Sequence, residues 1–239
     1  MAVKGEVLMP RATIFLKKCP GCTQPVKLYR LTSTDTSMAK FWTDGKMEAP
    51  LIPDQPEFVK CPFCKRLFWV EEAETLAEEE QKLFKPDRWK EARFARIPGH
   101  EELFDAVESG CGDTTEHEIY LRMRLWWLAN EADRKSGRTS SQKIIDFLFK
   151  PPRREKNRLD AVKKDSRDME NMTRLFALLE DLRPDVRIIK AELAREMGQF
   201  EKAKKLLQGD FPPAYAGHVS LLQRLIAEGD TRVRRIKAR

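Results

Sequence analysis

Two short motifs, Cys19-Pro-Gly-Cys22 and Cys61-Pro-Phe-Cys64, constrain this chain more than anything else in it. A Cys-x2-Cys segment closes a tight turn that aims both sulfurs at one point. Two such turns supply four thiolates, the tetrahedral set that Zn²⁺ takes in closed structural sites. Lysines flank both motifs, Lys17 and Lys18 before the first and Lys60 and Lys65 around the second. Cationic neighbours lower thiol pKa values and offset the negative charge of a four-thiolate centre. The candidate metal ligands are therefore Cys19, Cys22, Cys61 and Cys64, with one Zn²⁺ per chain as the expected cofactor. Iron takes the same four ligands in a rubredoxin-like site and is the second choice. Two disulfides are disfavoured in a reducing compartment. A thioredoxin-like redox motif would sit at a helix start after a strand in an α/β pattern, which this chain lacks. Cys111, between two glycines, reads as a loop residue.

The residues around the cysteines are β-prone. Residues 12–17 run straight into the first motif, and residues 26–31 alternate apolar and polar. Phe41-Trp42-Thr43, then Asp44-Gly45, then Lys46-Met47-Glu48 reads as a hairpin, since Asp-Gly favours a two-residue turn. Leu67-Phe68-Trp69-Val70 is a last short strand. Residues 1–70 thus form a small zinc-ribbon or rubredoxin-like β domain, with Trp42 and Trp69 in a core too small to hold without a metal.

From Glu71 the apolar period becomes helical. Residues 71–84 (EEAETLAEEEQKLF) read as an acidic helix and residues 99–109 as a second, a connector spanning 71–118. Thr115 with Glu118 forms a capping box for a helix through Trp126 and Trp127 that Ser136-Gly137 stops. Thr139 with Gln142 opens a helix over 144–149, and a long helix follows with apolar residues from Leu159 to Leu182. Pro184 starts another, ended by Gly198; Phe200–Leu207 is short, and Pro212-Pro213 opens the last. The stretch from Ala191 through Gly198, Phe200 and Ala203 to Leu207 is similar to one tetratricopeptide unit. The fold class is α+β: the β domain, then a mainly helical bundle over 119–239 with one repeat-like hairpin and a basic C-terminal tail.

Charge follows the same division. The net charge is +5 over residues 1–70, −9 over 71–118 and +11 over 119–239, giving +7 in all. No apolar run exceeds five residues (Leu125–Ala129 is one), and the first residues lack the apolar core of a signal peptide, so the expectation is a soluble, cytoplasmic protein.

The segment Phe41–Trp69, with the first cysteine pair and the later Arg122–Asn130, resembles a group of uncharacterised bacterial proteins that join a two-CxxC region to a tetratricopeptide-like helical part. That resemblance implies the two-part architecture and the four-cysteine ligand set, and implies no activity.

Nothing points to catalysis. His117-Glu118 begins like HExxH, but position 121 is Leu, and no phosphate-binding or nucleophile-elbow motif occurs. His100, His117 and His218 are spread along the chain as surface or cap residues. The preferred function is a zinc-stabilised, non-catalytic interaction protein whose helical part meets another protein. A nucleic-acid binder using the ribbon and the basic half is the alternative, and a thiol redox sensor the third.

Overall fold

The computed structural model describes residues 12–31, 36, 38–49, 54–81, 89–136, 165–180 and 183–236. The chain divides into two compact units, one of Met1–Ala39 with Glu48–Glu102, the other of Lys40–Met47 with Leu103–Arg239.

In the first unit, β1 (Ala12–Lys18) and β2 (Pro25–Leu31) pair antiparallel from Ala12↔Leu31 to Lys18↔Pro25, so the first cysteine motif is the turn of a hairpin. Strands β3 (Lys40–Trp42) and β4 (Met47–Glu48) come next in the chain and are described with the second unit. The second cysteine motif turns another hairpin, between β5 (Phe58–Lys60) and β6 (Leu67–Trp69). Strand β7 (Thr75–Gln81) lies antiparallel along β1, and the short β8 (Arg93–Phe94) lies parallel to β2, giving a sheet ordered β7-β1-β2-β8. In one core cluster Val26, Val59, Phe68 and Ala73 gather around Cys19 and Cys61, and Ile14, Leu16, Phe58 and Trp69 are buried as well. Phe58 and Trp69 pack ring on ring, 4.8 Å between centroids.

The strand β7 corrects the helix expected over 71–84. Its sequence suits a helix, but β1 supplies partners that decide otherwise. The backbone N–H of Lys18 donates to the Glu74 carbonyl at 2.9 Å, Lys17 Nζ donates to the Ala73 carbonyl at 2.9 Å, and the Lys18 ammonium meets the Glu74 carboxylate at 3.0 Å. Pairing of backbone groups along a neighbouring strand overrides weak helical propensity. The stretch 71–118 is therefore not a helical connector. Its first part pairs with β1, and among its described residues α1 (His100–Glu108) is helical and a further helix opens at Thr115.

The second unit contains α2 (Thr115–Ala129), α3 (Glu131–Ser136), α4 (Ser166–Leu178), α5 (Pro184–Glu196), α6 (Phe200–Leu206), a 3-10 turn over Pro213–Tyr215, α7 (Ala216–Ala227) and β9 (Arg235–Ile236). The helix expected over 144–149 and the beginning of the long helix lie outside the described residues. Thr114, one residue before the expected cap, accepts from the His117 N–H at 3.1 Å. Trp126, Met172, Leu175 and Leu193 join α2, α4 and α5 in one core. Ile188, Ala191, Leu207, Val219, Leu222 and Leu225 join α5, α6 and α7 in a second. Helix α5 serves both, and its residues 191–196 are all buried. Gly198, at φ +76°, ends it while Gln199 N–H donates to the Ala194 carbonyl at 2.8 Å, the hydrogen bond of a Schellman cap.

The expected hairpin around Asp44 forms, but it belongs with the helices and not with the 1–70 domain. Strand β3 pairs with β9, Phe41 opposite Ile236 and Trp42 opposite Arg235. The turn uses three residues, Thr43–Gly45, with Gly45 at φ +78° and the Trp42 N–H donating to the Lys46 carbonyl at 3.0 Å. A Cβ at Gly45 would stand 2.8 Å from Ile189 Cδ1, the end of a side chain that can shift, so the left-handed φ is what favours glycine here. Thr43 exchanges two hydrogen bonds with Arg234, at 2.9 and 3.0 Å, and its carbonyl accepts from His218 Nε2 at 3.2 Å.

Asp44 is fully buried. Its carboxylate accepts from Asn130 Nδ2 at 2.9 Å and pairs with the fully buried Arg134, and its carbonyl accepts from Trp127 Nε1 at 3.0 Å. Burial pushes the Asp44 carboxyl above the usual carboxylate range, against the pull of Arg134. Asn130 also donates to Glu196 at 3.1 Å, and Glu196 accepts from Trp126 Nε1 at 2.8 Å. Asn130 lies between α2 and α3, with its N–H donating to the Trp126 carbonyl at 3.1 Å and its carbonyl accepting from the Arg134 N–H at 3.2 Å. The buried Arg195 grips Glu192 through two 2.6 Å bonds and reaches the Arg232 carbonyl at 2.9 Å, fixing the turn that delivers β9.

Breaking a buried ion pair from one side leaves an uncompensated charge in the interior. Arg134→Met is therefore expected to cost about 3–5 kcal/mol, read from urea unfolding followed at the helical circular dichroism signal. A second expectation concerns acid. Burial holds the His218 pKa below its ordinary value, so the folded chain keeps the ring neutral while the unfolded chain protonates it. That contribution is present above the unfolded value of about 6.5 and is lost as pH falls below it. His218→Gln is expected to flatten the loss of stability between neutral and mildly acidic pH, measured by the same unfolding curves.

Candidate metal centre

The two cysteine motifs have one backbone design. In the first, the Cys19 N–H donates to the Gln24 carbonyl at 3.0 Å and the Thr23 N–H returns to the Cys19 carbonyl at 2.9 Å. In the second, the Cys61 N–H donates to the Arg66 carbonyl at 2.8 Å and the Lys65 N–H returns to the Cys61 carbonyl at 3.2 Å. The residue after each second cysteine is left-handed, Thr23 at φ 59° and Lys65 at φ 70°. Neither is glycine, so each turn holds about 1 kcal/mol or more of backbone strain that the surrounding bonds must balance. The Gly21 and Phe63 N–H groups donate to Cys19 Sγ and Cys61 Sγ, both at 3.4 Å.

All four sulfurs lie within 4.8 Å of one another. Across the two turns, Cys19 Sγ stands 3.7 Å from Cys64 Sγ, and Cys22 Sγ stands 3.7 Å from Cys61 Sγ. Four sulfurs about 2.3 Å from one ion stand about 3.8 Å apart along a tetrahedral edge, so the donor set fits a thiolate-bound metal. The spacing is far beyond a disulfide bond, and all the cysteines are free. Cys19 and Cys61 are buried, Cys22 is half-buried and Cys64 is exposed. Burial pushes the Cys19 thiol up to about 12, while the backbone N–H of Arg66 draws Cys64 down to about 7. One buried sulfur that resists ionisation, packed against others, requires a cation before all four can be thiolates.

The flanking lysines act differently from the sequence expectation. Lys18 pairs with Glu74, Lys60 with Glu102, and Lys17 and Lys65 donate to the carbonyls of Ala73 and Pro62, at 2.9 and 2.7 Å. They tie strands and turns together, and the sulfurs receive backbone N–H groups. Gly21 has a packing role. A Cβ there would stand 2.7 Å from Arg66 Cδ and 3.4 Å from Cys64 Sγ, so a side chain at this position would have to displace that of Arg66.

The remaining candidates stand apart from the cluster. Cys111 is half-buried just past α1, its N–H donating to the Ala106 carbonyl at 2.9 Å and its sulfur 3.7 Å from Ser109 Oγ. His100 begins α1, His117 bonds Asp113 at 2.6 Å in the first turn of α2, and His218 serves the Asp44 hairpin. The buried network of Asp44, Asn130, Arg134, Glu192 and Arg195 was not signalled by the sequence, because its partners come from segments far apart in the chain.

No protein-family model matches the chain, and neither does any curated protein or solved structure. The resemblance drawn from the sequence therefore stands on the four-cysteine cluster. Among the described residues no helix is long and apolar enough to cross a membrane.

Cys61→Ser, or stripping the metal with a chelator, is expected to release the strands over 12–31 and 54–81 while the helices persist. Hydrogen exchange resolved by peptide should show the Asp44 hairpin still protected between two segments that exchange freely. Loss of protection in α2, α4 and α5 would show that the helical cores depend on the metal.

Proposed function

We propose that this protein is a zinc-binding, non-catalytic interaction protein. One Zn²⁺ on Cys19, Cys22, Cys61 and Cys64 holds the β unit together, and the helical unit meets a partner protein. The carrying observation is the closed set of four sulfurs, which leaves no coordination position for a substrate or water. Zinc is chosen over iron because a closed thiolate set with a structural task is its commonest setting. Free thiols this close together suit a reducing compartment, which supports a cytoplasmic location.

The nucleic-acid alternative weakens against the ion pairing of the basic half. Arg122 and Arg174 meet Glu118 at 2.8 and 3.0 Å, and Arg134 and Arg195 are buried with Asp44 and Glu192. In the C-terminal segment, Arg232 and Arg234 both turn to Asp230, at 3.1 Å and 2.7 Å. Guanidinium groups engaged this way are poorly placed to exchange counterions with phosphates.

Elemental analysis of protein purified in reducing buffer should find one zinc per chain; no metal with four freely titrating thiols would refute the reading. Anisotropy titrations with labelled oligonucleotides should find weak binding that salt abolishes. Each phosphate contact lowers affinity by roughly 0.9 log units per log unit of salt. Tight binding near physiological salt would favour the alternative.

A further inference from the structure

We propose that Cys64 is the point at which electrophiles and peroxides attack the metal centre, and that its oxidation yields a Cys64–Cys19 disulfide joining the two turns. This rests on the reading of the four cysteines as one metal centre. Thiolate reactivity follows access as well as ionisation, and the ligands differ sharply in access. Cys19 and Cys61 are fully buried and Cys22 is half-buried, while Cys64 is exposed. The residues beside it on the two turns, Gly21, Lys65 and Arg66, are exposed as well.

The second step follows from where the sulfurs stand. Cys19 Sγ is 3.7 Å from Cys64 Sγ, across the gap between the turns, and closes to a disulfide by a movement of about 1.7 Å. With hydrogen peroxide as oxidant, the Cys64 thiolate attacks one peroxide oxygen. The O–O bond breaks, Cys64 becomes a sulfenic acid and hydroxide leaves. The Cys19 thiolate then attacks the Cys64 sulfur, the S–S bond forms and a second hydroxide leaves. Two thiolates are oxidised by two electrons in all, and one peroxide is reduced. Cys22 and Cys61 remain, too few to hold the ion. The new bond staples the β1–β2 turn to the β5–β6 turn, so the oxidised unit keeps a crosslink where the metal had been.

The test uses the full chain with Cys111→Ser, after metal analysis of that same preparation. N-ethylmaleimide at one equivalent per chain, then peptide mapping, should label Cys64 at least about tenfold more than Cys19, Cys22 or Cys61. Hydrogen peroxide at one equivalent, followed with a chromophoric zinc chelator and by non-reducing peptide mapping, should release the zinc and yield the Cys19–Cys64 peptide pair. Preferential labelling of another ligand, or a disulfide within one turn (Cys61–Cys64 or Cys19–Cys22), with zinc present at the start, would overturn this inference alone. A preparation without metal would overturn the metal reading, and this inference with it.

Discussion

Four thiolates held within 4.8 Å repel one another unless a cation lies between them, and the β unit is arranged around that constraint. Each pair of sulfurs comes from the turn of a hairpin, and each turn repeats the same bonds and the same left-handed residue. Around the sulfurs, Val26, Val59, Phe68 and Ala73 form an apolar cluster that the hairpins and the following segment share. On the proposed reading, a bound metal would contribute folding free energy directly, because the site forms only when the two turns meet. Cys19 is buried and Cys64 exposed within the same cluster, and the proposed difference in their reactivity rests on that contrast.

The helical unit is held by another interaction. Between the two cysteine motifs the chain sends out a hairpin whose tip, Thr43–Gly45, is packed into the helical unit. Asp44 meets Arg134 and Asn130 there, and Glu196 and Trp126 extend the network. Buried ion pairs add little net stability when intact, because desolvation offsets the attraction, yet they penalise any arrangement that separates the partners. The hairpin is thereby fixed in one register against β9, and the left-handed φ of Gly45 disfavours any other residue at its turn.

Much of this was legible in the residues. The spacing of Cys19, Cys22, Cys61 and Cys64 identified the cluster, because Cys-x2-Cys geometry is local and strict. Pro184, Gly198 and the apolar spacing through Ala191, Ala203 and Leu207 marked the α5–α6 hairpin, because caps and faces are also local. What failed was non-local. Thr75–Gln81 has the composition of a helix and becomes a strand because Lys17, Lys18 and the open edge of β1 stand beside it. The Asp-Gly turn marks the Asp44 hairpin in the sequence, but nothing local places it with the helices and not with residues 1–70. Its partners Asn130, Arg134, His218 and Arg234 follow 86 to 191 residues later, and charge alone does not say which carboxylate is buried.

The most direct measurement on the metal centre is the zinc K-edge X-ray absorption spectrum of the purified chain in reducing buffer. Its extended fine structure should fit four sulfur scatterers at about 2.3 Å and no nitrogen or oxygen in the first shell. A shell containing nitrogen or oxygen, or fewer than four sulfurs, would contradict a closed site built from Cys19, Cys22, Cys61 and Cys64.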